Sequence, residues 1–415
     1  MASPKILIVG NCFSTLRKYL TEHGYDHLLL KDIRLTDFPD KQFKNRAVCD
    51  FSKFENVLRT VDELVREHTF NGVMVTYENY IVTAARIAER LMLPGMPVES
   101  AKACTDKFLM RQMFGDAPEK ISPDFAVVES EQAVRDFAAA HRFPLILKPA
   151  NLSKSLLVTK SGDLDELLAS YRRTAGNIQA VYAKYAPGSK PKILIEEFME
   201  GPVHSVDAFI DSSGEPHVLD AVVDYQTGYE IGYDDNFHYS RILPSKLPAR
   251  EIAAICRTAA QGCKALGMKN SPAHIEIIRT ADGPRIVEIG ARNGGYRERM
   301  HLLANGIDIT GNAINLALDR PLNLQADRNE SVAVLELFPK TPGTFKGIAN
   351  EKKLKQLTSL NYFAVKADPG SFIGKSSDGY KMAACIILHN ADPEQFAKDL
   401  DFVNKQVYVE TEPVN

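Results

Sequence analysis

Strand and helix patterns alternate through roughly the first hundred residues, and this alternation restricts the fold more than any other feature of the chain. The runs "KILIVGN", "DHLLLK" and "NGVMVTY" have strand character. Between and after them, "STLRKYLTEHG", "FENVLRTVDELVREH" and "NYIVTAARIAERLML" carry a helical period, the last stopped by Pro94-Gly95. Strands joined through helices argue a parallel sheet with helices on both faces. A dinucleotide-binding domain would place G-x-G-x-x-G after the first strand. The sequence reads "VGNCFSTL", with one glycine, which argues against NAD chemistry. Glu78, just past the third strand in "VTYENY", falls where open α/β sheets bind ligands, although a charge at a helix N-terminus is the simpler reading.

A chain of 415 residues is too long for a single core. We expect an N-terminal parallel α/β domain over 1–99, a second domain over 100–322, and a small C-terminal α+β domain over 323–415. Net charge is −3 with acids and bases intermixed, so neither nucleic acid nor an anionic membrane is expected as a general partner. No window is apolar enough to span a bilayer. The opening "MASPKILIVG" has only a short apolar run and reads as a strand rather than a signal peptide. The cysteines, Cys12, Cys49, Cys104, Cys256, Cys263 and Cys385, are scattered without a C-x-x-C pair; we read them as reduced packing residues of a cytoplasmic protein.

The stretch "SPAHIEIIRTADGPRIVEIGARNGG", Ser271 to Gly295, has the form of a β-hairpin, but each strand carries a glutamate where an aliphatic is expected. A three-residue loop, Ala281-Asp282-Gly283, would put Thr280 opposite Pro284 and Glu276 opposite Glu288. One face then carries His274, Glu276, Ile278, Ile286, Glu288, Gly290 and Arg292; the other packs Ile275, Ile277, Val287 and Ile289. A two-residue loop would separate the glutamates onto opposite faces. Like charges across a strand pair destabilise it unless a cation lies between them, and a hard divalent ion such as Mg²⁺ meets that need. Surface carboxylates paired with nearby arginines are the plainer explanation.

Two further features lie upstream. Lys148 ends the apolar run "FPLILKP", and "ILIEEFMEGPVHSVDAF" sets Glu196 and Glu197 directly after an apolar strand. Between "DAVVDY" and the helix "REIAAICRTAAQGCKALG" we expect a long aromatic loop, "QTGYEIGYDDNFHYSRILPSKLP". Thr105 reads as the N-cap of the helix "TDKFLMRQMF". The ordered set of N-terminal α/β unit, lysine strand, E-E-[FY] hinge and "IEI…VEIGAR" hairpin resembles the ATP-grasp superfamily of carboxylate–amine ligases. The tail "PGTFKGI…ADPGSFIG" looks like the C-terminal domain of its L-amino acid ligase branch.

That resemblance implies an ATP-grasp fold behind a pre-ATP-grasp domain, and an enzyme using ATP with two Mg²⁺, or Mn²⁺ in their place. Lys107 and Lys148 would meet the phosphates. Glu196, Glu197 and Met199 would offer main-chain groups to the adenine, and Phe198 an apolar contact. Glu276 and Glu288 would hold the metal, and Arg292 would steady an acyl phosphate. The chain departs from the pattern in three places. The glycine-rich flap is replaced by "PANLSKSLLVTK", where Ser153, Lys154 and Ser155 could donate instead; Val203 stands where a ribose-binding glutamate is common; and Gly290 replaces a third metal ligand, leaving Asn293 or water as substitutes. His238 and Arg241 are candidates for holding a carboxylate or an oxyanion. The implied reaction joins a small-molecule carboxylate to an amine, with amino acids the first choice, in an enzyme whose relatives are commonly homodimers. The alternatives are a ligase of nucleotide-precursor type and a catalytically impaired ATP-binding regulator.

Overall fold

The computed structural model describes residues 3–413 apart from 36–44, 153–156, 186–189 and 236. As expected, the N-terminal sheet is wholly parallel, in the order Arg46–Cys49, Asp26–Asp32, Lys5–Gly10, Gly72–Val75. Lys5–Gly10 is an inner strand buried on both sides. Ile6 and Ile8 pack with Leu16 and Leu20, while Leu7 and Val9 pack with Val57, Val61 and Ile87. A parallel strand covered by helices on both faces needs such a continuous apolar run. The edge strand Arg46–Cys49 is short and half polar, and its "RAVC" carries too little pattern to be read from sequence.

A nine-stranded antiparallel sheet forms the centre. Its path runs from the hairpin of Gly283–Gly290 and Ser271–Thr280 through Val203–Ile210, Val223–Thr227 and His238–Leu243 to Ser331–Leu337, Ala384–Asn390 and Leu360–Val365. A separate four-stranded sheet, Phe125–Val127, Ile193–Glu197, Leu145–Pro149 and Thr159–Ser161, has its own core around Leu145, Leu147, Leu167 and Ile195. Packing crosses both expected domain boundaries. The helix Val98–Thr105 straddles residue 99, and its Ala101, Ala103 and Cys104 share a core with Ile81, Ala85 and the hairpin isoleucines. The central sheet itself runs across residue 322. No helix among the described residues is long and apolar enough to cross a membrane.

The segment expected as a long loop is a loop only in part. His238–Leu243 is a strand inside the central sheet, because Tyr239 is buried with Ala333 and Leu335. Its pairing shifts between Gln226, opposite Ser240, and Thr227, opposite His238, so Tyr239 is an extra residue. That bulge brings His238 and Arg241 to one face, opposite Thr227 and Tyr225.

The glutamate hairpin pairs as expected for a different reason. Its loop is the two-residue type, with Thr280 opposite Gly283 and Arg279 opposite Pro284. The Thr280 hydroxyl donates to the Gly283 carbonyl at 2.7 Å and closes this tighter turn. Glu276 still faces Glu288, because the register shifts between Glu276 and Ile277 and leaves Val287 as a bulge. Ile286, not Val287, therefore joins Ile275, Ile277 and Ile289 in the core. Ile286→Ala is expected to destabilise the fold by about 2–5 kcal/mol, the range for emptying a core isoleucine site, and Val287→Ala clearly less. Urea unfolding of the two variants measures the difference; equal losses would contradict the bulge.

Candidate functional site

The site is assembled around the glutamate hairpin by elements from three sheets. Thr105, expected as a cap, is the last residue of the preceding helix, and its hydroxyl donates back to Ala101 and Lys102. Asp106 caps the helix Lys107–Phe114 instead, accepting from the Phe108 and Leu109 amides at 2.9 and 3.3 Å. Lys107 thus sits in the first turn, where its Nζ lies 2.9 Å from Glu288 and donates to the Leu152 carbonyl at 3.3 Å. Burial disfavours the ammonium, but Glu288 more than offsets this and lifts the Lys107 pKa. One turn on, Arg111 points from the same side of the helix.

Lys148 is buried and pairs with Glu196 at 2.7 Å. Burial, opposed by Glu196 and helped by Arg111 and Lys107, brings its pKa down to about 8. Burial likewise works against the Glu196 charge, yet Arg111 and Lys148 hold that carboxyl below its usual range. The hinge differs from expectation at two residues. Glu196 is paired on both sides, with Phe125 and Ile146, so its main chain belongs to the sheet. The Glu197 amide donates to the Asp124 carbonyl at 3.1 Å. Its carboxylate meets Lys120 at 3.2 Å, and Lys120 also pairs with Asp124 at 2.9 Å. The Asp124, His141 and Glu197 side chains form a cluster of metal-ligand types, but Lys120 already supplies its cation. Phe198 and Met199 follow the strand end, and Lys160 lies 3.8 Å over the Phe198 ring. Ser153, Lys154 and Ser155 lie outside the described residues.

Glu276 and Glu288 face each other with unequal support. The Lys107 charge, acting against burial, draws the Glu288 carboxyl well below its usual range, and Glu288 keeps 39% of its side chain exposed to solvent. Burial and repulsion from Glu288 push Glu276 up. Among the described residues its nearest basic group is His274, whose Nε2 is 3.9 Å away. His274 Nδ1 is held by buried Asp207 at 2.8 Å, and the same carboxylate lies 3.1 Å from His301 and 3.5 Å from Arg297. Burial opposes the Asp207 charge, but these partners keep its carboxyl far below the usual range. Gly294 makes this possible. A Cβ there would lie 2.4 Å from His274 Nδ1, so the glycine admits the histidine.

Arg292 pairs with Glu78 at 2.9 Å, not with Glu288. Glu78 does open a short 3₁₀ turn, but its carboxylate reaches across from the parallel sheet into the site. Burial lifts its pKa despite Arg292. A side chain at Gly290 would meet the Glu78 carboxylate, 3.3 Å from the Cβ position. Asn293 donates from its amide to the Ile309 carbonyl at 3.4 Å and makes no hydrogen bond to either hairpin glutamate among the described residues. Val203 packs in an apolar cluster with Val223, and His204 pairs with Asp224 at 2.9 Å.

Arg241 lies 3.3 Å from Glu336, between the rings of Tyr225 and Tyr296, and Tyr296 also donates to Glu336 at 2.9 Å. The His238 ring contacts Tyr225 edge-on at 4.5 Å. Burial and then Arg241 push His238 down to about 4, so it is neutral near pH 7 and offers hydrogen bonds rather than charge. Sequence reading misses Arg111, Asp207, Arg297 and Glu336. For Arg111 a signal exists: it lies four residues after Lys107 on a helix, where an inward stripe would carry both.

Comparison with known proteins places part of the chain in a family. Residues 141–298 match the ATP-grasp domain family. An uncharacterised protein of Sinorhizobium fredii is 23% identical over 372 residues, 88% of this chain and 74% of its own length. The alanine–anticapsin ligase of Bacillus subtilis is 26% identical over 254 residues, 58% of this chain and 52% of that enzyme. This chain therefore aligns with about half of that relative's length. In three dimensions, the L-amino acid ligase of Bacillus licheniformis superposes with a TM-score of 0.80 at 20% identity, covering 99% of this chain and 100% of the other.

The Lys148 ammonium is lost as pH rises through about 8. A polyanion that meets it therefore binds at full strength below that pH. Its affinity should fall above it, by up to about tenfold per pH unit. Calorimetric titration with inorganic tripolyphosphate between pH 6.5 and 9.5 measures the profile; in Lys148→Met that dependence should be gone.

Proposed function

This chain belongs to the ATP-grasp superfamily, and we propose that it is an ADP-forming ligase that activates a carboxylate as an acyl phosphate and joins it to an amine, both from the amino-acid class. The observation that carries the reading is the convergence of Glu276 and Glu288, paired across one ribbon, with Lys107, Lys148 and Arg292. The names of the alanine–anticapsin and L-amino acid ligases support the substrate class.

Each residue then has a task. The Glu197 carbonyl and the Met199 main chain face the adenine edge, with Phe198 against the base. Glu196 serves through its side chain, holding Lys148 towards the phosphates. Around the two hairpin glutamates, among the described residues, Lys107, Lys148, Arg111 and Arg292 face Glu78, Glu196, Glu276 and Glu288. A triphosphate arriving with divalent ions brings little net charge, so binding exchanges partners without stranding a charge. Glu276 and Glu288 are oxygen donors of the kind Mg²⁺ takes, and among the described residues no lysine pairs with Glu276. Two such ions, when bound, neutralise the phosphate oxygens during transfer. Lys107 turns from Glu288 to phosphate, and Arg292 turns from Glu78 to the acyl phosphate, whose geometry suits a guanidinium fork. Asn293 can add a carbonyl oxygen beside the carboxylates. Arg241, with neutral His238, receives the substrate carboxylate or the oxyanion formed as the amine attacks. No side-chain nucleophile is needed; positioning and charge neutralisation lower the barrier. All six cysteines are free, which fits a reducing compartment and the cytoplasm as the place of action.

The test is an ADP-release screen across pairs of amino acids and small amines, with mass spectrometry of the product. Release should require both partners, and Glu288→Ala should lower it by at least about a hundredfold with the circular dichroism unchanged. ATP hydrolysis indifferent to added substrates would instead support a regulatory nucleotide-binding protein.

A further inference from the structure

Arg111 enters the reading above only through its charge, yet it is among the largest fully buried side chains of the protein. A buried guanidinium is costly unless its donors are met. Two of its nitrogens are met by groups of different elements. Nε lies 3.2 Å from Glu196 Oε1, on the hinge strand, and Nη2 donates to the Val287 carbonyl at 2.8 Å. Nη1 is buried without a hydrogen-bond partner among the described residues.

Val287 is the bulge residue that keeps Glu276 opposite Glu288. A bulge interrupts the ladder, so its main-chain groups need partners from elsewhere. Arg111 supplies one for the Val287 carbonyl, and on the neighbouring residue the Ile286 amide donates to the Ile121 carbonyl at 2.6 Å. The carboxylate that Arg111 grips on its other side is the one whose second oxygen holds Lys148. One rigid fork therefore joins the glutamate ribbon to the lysine strand, and it rises from the helix that carries Lys107.

We propose that Arg111 is a positioning residue that fixes the register of the two hairpin glutamates and the placement of Lys148 together, so that metal and phosphate sites keep one geometry. This rests on the nucleotide reading of the site. A lysine would not serve, because a single ammonium cannot present two donors at the fixed angle of a guanidinium.

The test follows binding of a non-hydrolysable ATP analogue by calorimetry over a Mg²⁺ series, for the wild-type chain, Arg111→Lys and Glu196→Gln. Substitution of groups that orient metal ligands typically weakens metal affinity about 10–100-fold, and a rise of that order in the magnesium constant is expected for Arg111→Lys. Glu196→Gln, which touches no proposed metal ligand, should raise the constant in the same direction by removing the anchor of Arg111. The KM for the amino-acid substrates should stay near wild type in both, a split that general loosening of the fold would not produce. A folded variant of either kind with a wild-type magnesium constant overturns the proposal. If Arg111→Lys fails to fold, Glu196→Gln decides. Absence of analogue binding to the wild-type chain would sink the nucleotide reading itself, an outcome distinct from binding that ignores Arg111.

Discussion

Two carboxylates held side by side on one ribbon set the terms for the rest of this site. Facing glutamates repel, and burial raises the cost of charging them. The fold answers with a cation from another element on one side only. Lys107 reaches Glu288 from the first turn of a helix, while Glu276 has beside it His274 of its own strand, oriented by Asp207. The asymmetry has a consequence. Glu288 is held low beside its lysine, whereas Glu276 is left with a raised pKa, and a divalent ion would favour its charged form.

The other charges of the cleft follow the same pattern. Lys148 leans on Glu196, Arg292 on Glu78 and Arg241 on Glu336. Each basic group proposed to meet a ligand thus has an internal partner close at hand. Such pairs keep the groups oriented, so little rearrangement is needed when a charged ligand takes their place, which is the condition for electrostatic catalysis. The partners come from the 3₁₀ turn that follows the parallel sheet, from the strand Ile193–Glu197 and from the strand Ser331–Leu337.

Much of the site is legible in the amino-acid pattern, though not always for the right reason. A three-residue loop predicts Glu276 opposite Glu288; the loop has two residues, and a bulge at Val287 restores the pairing. The bulge is invisible in sequence because the carbonyl and amide that stabilise it belong to Val287 and Ile286, while their partners, Arg111 and Ile121, lie far earlier in the chain. His238 and Arg241 read as loop residues but occupy a strand, brought to one face by a second bulge. Glu78 falls at the end of its strand, where a helix-terminal charge is the simpler reading, since nothing local ties it to Arg292.

Taken alone, the sequence determined what period and composition can carry: the parallel N-terminal sheet, the apolar strands that end in Lys148 and in Glu196-Glu197, and the presence of acids in an apolar hairpin. Those follow from local pattern, because a strand or helix must repeat its apolar positions to bury a face. Which charge answers which was decided only by tertiary structure. A salt bridge depends on a few ångströms between groups that lie far apart along the chain, and no periodicity in the sequence encodes that distance.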